Sequence, residues 1–155
     1  MMTQLSEHFS LEELTFSESA LRLGYQNVPN SLTIENLTRL ASVLLEPVRA
    51  LLAVPIHVNS GYRSRPVNFS VGGAPTSAHI FGRAADIVPI GFDLQDSIDK
   101  IRATDLPFDQ LIFECRAWIH IAIAPAGATP RREALLASGS PGAWHYEPAP
   151  KLTGK

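Results

Sequence analysis

From Thr33 the apolar residues Ile34, Leu37, Leu40, Leu44, Val48 and Leu51 return at intervals of three and four. That period gathers them on one stripe and predicts an amphipathic helix with a single buried face. Pro47 falls inside it. A proline lacks the N–H of the helical ladder and its ring crowds the preceding turn, so a kink or break is expected near Glu46. Leu94, Ile98 and Ile101 mark a second helix. Ser10 ahead of Leu11-Glu12-Glu13 reads as an N-cap with carboxylates in the first turn. Residues 5–30 otherwise read as a polar lead-in with short helical stretches, and Asn27-Val28-Pro29-Asn30 as a turn or loop.

Four segments carry strand patterns: Pro55–Asn59, Ala84–Ile90, Phe108–Glu114 and Trp118–Ala124. The last two are split only by Cys115-Arg116-Ala117, which predicts a hairpin. Alternation along the final strand puts Ile119, Ile121 and Ile123 on one face, with Trp118, His120 and Ala122 on the other. Residues 60–83 are rich in Gly, Ser, Pro and Asn without a period, and a loop of that length in a compact domain is usually functional or disordered. The stretch from Glu147 to Lys155 reads as a loose tail, leaving residues 1–146 as one domain.

Composition narrows the class. The chain has 155 residues, of which 45% are hydrophobic and 18% charged, as expected of one globular domain and not of a disordered chain. A net charge of −2 and a pI near 6.2 give no electrostatic footprint for nucleic acid. The single cysteine, Cys115, excludes an internal disulfide and a cysteine zinc site. It reads as a small buried hydrophobe. No apolar run approaches the roughly 18 residues of a membrane span. The N-terminus has neither the basic nor the apolar region of a signal peptide, which predicts synthesis in the cytoplasm. A monomer is the default expectation.

The candidate chemistry lies in Ser77-Ala-His79-Ile-Phe-Gly82-Arg-Ala84-Ala-Asp86. His79 leaves the long loop, Gly82 permits a sharp turn, and Asp86 falls on the strand that follows. A chain turning back at Gly82 can bring imidazole and carboxylate to one point, and His120 offers a second imidazole. Two histidines and a carboxylate form a catalytic zinc set with a fourth position open for water. The alternative is that Asp86 caps a turn and both histidines are satisfied polar residues. Glu114 ends one hairpin strand six residues before His120, where it could take a proton from water; Asp109, at the other end of that strand, is a second candidate. Tyr62 and Arg63 follow a strand directly, and the arginine could bind a carboxylate or an oxyanion. Trp144-His145 either covers a site or closes the core, and the core is the better assignment. Ser77 with His79 and Asp86 holds triad residue types but lacks the glycine pattern of a nucleophile elbow.

Ser77-x-His79-x-x-Gly82-x-Ala84-x-Asp86 followed by Trp118-x-His120 resembles the signature of the M15 zinc peptidases. That family includes D-Ala-D-Ala carboxypeptidases and dipeptidases and phage L-Ala-D-Glu endopeptidases, and the zinc module of hedgehog signalling domains is similar. Val58-Asn-Ser-Gly-Tyr-Arg63, Phe108–Glu114 and the opening Leu5–Leu14 resemble its phage-type branch, so the likeness runs from about residue 5 to residue 125. It implies an α+β fold with a small central, mainly antiparallel sheet and flanking helices, and Zn²⁺ on His79, Asp86 and His120. It also implies substrate or oxyanion contact by Arg63, with Tyr62 and Ser77 beside it. Several members carry the catalytic carboxylate three residues before the last histidine, a position held here by Ala117. In the phage-type and hedgehog-like pattern a glutamate six residues ahead serves instead, which is Glu114.

The expected function is hydrolysis of peptidoglycan stem peptides by zinc-activated water, with Glu114 as the base. The expected setting is the cell wall, reached after phage- or holin-mediated release. The main alternative is a non-catalytic, zinc-stabilised module that binds a wall peptide. An acyl-transfer hydrolase using Ser77 or Cys115 is a third reading, and insensitivity to chelators would be its mark.

Overall fold

The computed structural model describes residues 2–152. It shows an α+β fold built on one open sheet of six strands: β1 (Ile56–Ser60), β2 (Ala84–Pro89), β3 (Phe108–Glu114), β4 (Trp118–Ile123), β5 (Glu133–Ser140) and β6 (Ala143–Pro148). Their spatial order is β1-β2-β4-β3-β5-β6, and only β3 and β5 run parallel. The helices are α1 (Leu11–Thr15), α2 (Glu18–Leu23), α3 (Ser31–Leu40), α4 (Glu46–Leu52), α5 (Arg65–Ser70) and α6 (Leu94–Arg102).

Each helix start has a local cause. The side chains of Ser10, Ser17, Asn30 and Asp93 accept from backbone N–H groups of the first turns of α1, α2, α3 and α6. The amphipathic helix predicted from Thr33 begins at Ser31, and the helical run continues through Pro47. A single π-turn, Ala41–Leu45, joins α3 to α4, and the Glu46 N–H reaches back to the Ala41 carbonyl. Pro47 then sits at the start of α4, where a missing N–H is tolerated.

The sheet buries one face. Ile56, Val58, Ile87, Leu111, Phe113, Ile119 and Ile121 pack against Leu37, Leu40, Leu44, Leu45 and Val48 of the α3–α4 rod and Ile98 and Ile101 of α6. The alternation read in β4 therefore holds: its isoleucines point into this core. The opposite face carries Asp86, His120, Ile112 and Glu114 with the small residues Ala84, Ala122 and Ala137. It forms the floor of a cleft of about 650 Å³.

Three expectations change. The long loop of residues 60–83 contains α5 and a 3-10 turn, Ala78–Phe81. Cys115 is exposed, because it sits with Arg116 in the left-handed link of the β3–β4 hairpin. The chain also stays attached past residue 146. Glu147 and Pro148 pair with Leu136 and Leu135, and Pro150 accepts from Arg102. The last part of the expected tail, residues 153–155, lies outside the described residues. Among the described residues no helix is long and apolar enough to cross a membrane.

Candidate metal centre

Asp86 and His120 face each other on adjacent strands, as direct register partners of β2 and β4. His79 comes from the 3-10 turn just before β2. Ser77 caps that turn by accepting from the His79 N–H, and Gly82 ends it in the left-handed region at φ 71°. A Cβ at Gly82 would collide with the Thr33 carbonyl, so the chain there packs against α3 too closely for a side chain. The turn-back expected at Gly82 is thus real, and it delivers His79 to the carboxylate.

The three donor atoms form a nearly equilateral triangle. His79 Nε2 lies 3.2 Å from Asp86 Oδ1 and 3.2 Å from His120 Nδ1, and His120 Nδ1 lies 3.2 Å from Asp86 Oδ1. All three residues are buried. His79 Nδ1 sits 2.6 Å from the Gly61 carbonyl, which can only accept, so Nδ1 carries the proton. The neutral ring then turns a bare lone pair at Nε2 toward an acceptor-only carboxylate oxygen. Burial lowers the His79 pKa and outweighs the pull of Asp86, which favours this neutral ring. Against the burial that would raise it, the Asp86 pKa is held far below the usual carboxylate range, so the carboxylate is charged. Lone pairs and negative charge converging on one buried point are the arrangement a cation satisfies. Among the described residues this is the one such cluster that could hold a metal ion.

Arg63 backs the carboxylate from outside the triangle. Its Nη2 donates to Asp86 Oδ2, its Nε to Ser60 Oγ and its Nη1 to Asn68 Oδ1, each at 3.1 Å. Asn68, buried on α5, is held in turn by donating to the Ala74 carbonyl at 2.9 Å. The Arg63 backbone N–H donates to the His79 carbonyl at 3.1 Å. One residue therefore ties two of the candidate ligands together.

Glu114 lines the same cleft at the end of β3, one row along the sheet from the His120–Ile112 pair. Its pKa is raised, first by burial and then by the nearby Asp86 charge, with His120 and Arg63 partly offsetting both. Asp109 also lines the cleft, but Arg131 engages it through its backbone N–H at 3.0 Å and Nη2 at 2.8 Å. The Arg131 hydrogen bond holds the Asp109 carboxyl below its ordinary range, which makes it the weaker base of the two.

Of the sequence-predicted residues, the structure brings His79, Asp86, His120, Arg63, Glu114, Asp109 and Ser77 to one cleft. It does not bring Tyr62, whose side chain packs against the core. Trp144, assigned to the core from sequence, lines the cleft wall instead, because β6 is an edge strand lying beyond β5. Sequence reading missed Ser60, Gly61 and Asn68 as supports, and Tyr146 and Trp118 as lining residues. Two of them carried a signal in the sequence: Gly61, a glycine directly after a strand, and Trp118, on the His120 face of its strand.

A sequence profile described as Peptidase M15 matches residues 7–122, which takes in all three candidate ligands, Arg63 and Glu114. No curated protein matches the chain. The profile covers most of the sequence, and the fold assembles the motif residues it spans into one buried donor set: the chain belongs to the M15 peptidase family.

Proposed function

We propose that this protein is a zinc-dependent peptidase that hydrolyses the peptide stems of bacterial peptidoglycan, as a D-Ala-D-Ala carboxypeptidase or an L-Ala-D-Glu endopeptidase. The observation that carries the reading is the 3.2 Å donor triangle at the floor of an open cleft. Donors about 2.0–2.1 Å from a tetrahedral zinc stand about 3.3 Å apart, so one ion fits all three without rearrangement. The mixed imidazole and carboxylate set suits that borderline cation, and three protein ligands leave a position for water. Bound there, zinc would act as a Lewis acid and bring the pKa of water to about 7.

The remaining work falls to the chain's own side chains. Glu114 takes the proton of the attacking water and returns it to the leaving amine. Its raised pKa suits a group that must both accept and release a proton. Arg63 acts through Asp86, holding its free oxygen so that the other faces the two histidines. The cleft, about 650 Å³, is within the range of roughly 300–1,000 Å³ typical of small-ligand sites and can take a short peptide. The site of action would then be the cell wall, reached after phage- or holin-mediated release.

Purified peptidoglycan is incubated with zinc-loaded protein, chelated protein and zinc-loaded Glu114→Gln, and the fragments are read by mass spectrometry. Fragments that vanish on chelation, with the variant retaining zinc but slowed about 10²–10⁴-fold, are the expected result. Loss of one terminal D-alanine would name a carboxypeptidase, and separation of L-Ala from D-Glu an endopeptidase. Zinc-loaded protein that releases nothing would leave a binding module as the reading.

A further inference from the structure

The β5–β6 hairpin lies beyond the residues matched by the family profile, which stop at 122, yet it builds one wall of the cleft. Its register against β3 is specific. Glu114 pairs with Ala137, and Ala137 pairs with Tyr146. Directly paired residues share a sheet face, so Glu114, Ala137 and Tyr146 form one row on the face that carries the donor triangle. Strands stand about 4.8 Å apart, which puts the Tyr146 backbone roughly 10 Å from that of Glu114. Ala137, between them in the row, is buried and does not line the cleft, whereas Glu114 and Tyr146 both do, so a carboxylate and a phenol border the same open space.

Resting on the peptidase reading, we propose that Tyr146 is a substrate-contacting residue whose hydroxyl donates a hydrogen bond to the scissile carbonyl oxygen as negative charge develops on it. The phenol lines the cleft, is about half exposed, and is free to donate. No protein hydrogen bond contributes to its acidity. Burial and the charges of Glu114 and Asp86 push its pKa up, so it keeps its proton where Glu114 has lost its own. A neutral donor and a general base lining one cleft are the complement an acyl-transfer reaction needs. One group takes a proton from the nucleophile while the other meets the charge that the attack creates.

The test is Tyr146→Phe, which keeps the ring on an exposed edge strand and removes only the hydroxyl. Zinc content, kinetics on the stem peptide, and affinity for a phosphinate peptide isostere are measured beside wild type. Zinc content should be unchanged and KM should hold within about twofold, while kcat falls on the order of 100-fold. Phosphinate affinity should fall by a similar factor, since that probe carries the tetrahedral oxygens of the reacting centre. Wild-type values for both kcat and phosphinate affinity would overturn the proposal and leave the peptidase reading intact. A change confined to KM would also overturn it, by marking Tyr146 as a wall that binds without assisting the reaction. A wild-type protein that neither cleaves the stem nor binds the phosphinate would overturn both readings together.

Discussion

Replacing Arg63 by alanine removes three hydrogen bonds at once and tests whether this residue serves the metal centre or the substrate. The guanidinium and the Asp86 carboxylate are 14% and 8% exposed, so the pair is largely out of water. Removing one partner of a buried pair costs about 3–5 kcal/mol, because the other charge is left behind. Asp86 keeps two imidazole neighbours, which argues for the lower end, about 3 kcal/mol. The orphaned Ser60 hydroxyl and Asn68 carbonyl together add about 1 kcal/mol. The total of about 4 kcal/mol corresponds to a fall in Tm of roughly 8–16 °C for a chain of this length. Asp86 would also lose the contact that fixes its orientation, and supports of this kind are worth about 10–100-fold in metal affinity.

Thermal unfolding of the chelated protein and a competition titration with a zinc chelator measure the two effects separately. Arg63→Lys should recover only part of each, since one ammonium cannot reach three acceptors in the arrangement that a planar fork does. Arg63→Ala with wild-type Tm and wild-type zinc affinity, but a raised KM, would refute this reasoning. Arg63 would then act on substrate.

Two further variants probe the supports of the site. Gly61→Ala drives a Cβ into the Leu14 carbonyl and displaces the oxygen that holds the His79 Nδ1 proton; overpacking of this kind costs about 1–3 kcal/mol, and zinc affinity should fall with it. Unchanged unfolding and metal binding in that variant would show the strand end to be pliable. Asp109→Asn removes the pair with Arg131, worth on the order of 1 kcal/mol at this half-exposed position. The folded Asp109 pKa lies below its ordinary value of 3.8. The contribution is therefore fully present above about pH 4 and is lost as pH falls through the folded value. Urea titrations should separate wild type from Asp109→Asn at pH 7 and bring them together as pH falls below the folded Asp109 value; a gap that persists in acid would show that the charge is not its source.

The residues that make the triangle were legible because their spacing follows from local structure. Alternation put His120 on the face opposite Ile119 and Ile121, and Gly82 announced the turn that brings His79 back. The hairpin was legible for the same reason, its strands being separated by three residues. The C-terminal wall was not. β5 pairs with β3 in parallel, across an intervening strand in the sequence, and Glu133–Ser140 ends in Ala-Ser-Gly-Ser without an alternating pattern. Nothing local says that Trp144 and Tyr146 will face a cleft rather than a core. α5 was hidden differently: six residues starting at Arg65-Pro66 are too short to show a period, and Asn68 has meaning only once Arg63 is beside it. π-turn insertion ahead of Pro47 shows a signal read correctly with its resolution unforeseen, since a widened turn removes the clash as well as a break would.

The two faces of the sheet divide the requirements of such a site. One face is a continuous apolar layer of Ile, Leu and Phe side chains under the α3–α4 rod, and close packing there fixes the strand positions. The other face is left to the polar groups Asp86, His120 and Glu114, set among the small residues Ala84, Ala122 and Ala137. Two of the three candidate donors, Asp86 and His120, stand on the interior strands β2 and β4, which have neighbours on both sides and the least freedom to shift, and His79 comes from the turn just before β2. A donor displaced by half an ångström would break a triangle whose sides are all 3.2 Å. Residues that must adapt to a substrate have the opposite need, and the edge strand β6 meets it: exposed along most of its length, it can vary without moving a donor. Substitutions at Trp144 and Tyr146 should accordingly change which peptide is cleaved, or how fast, while those at Asp86 and His120 should decide whether a metal is held at all.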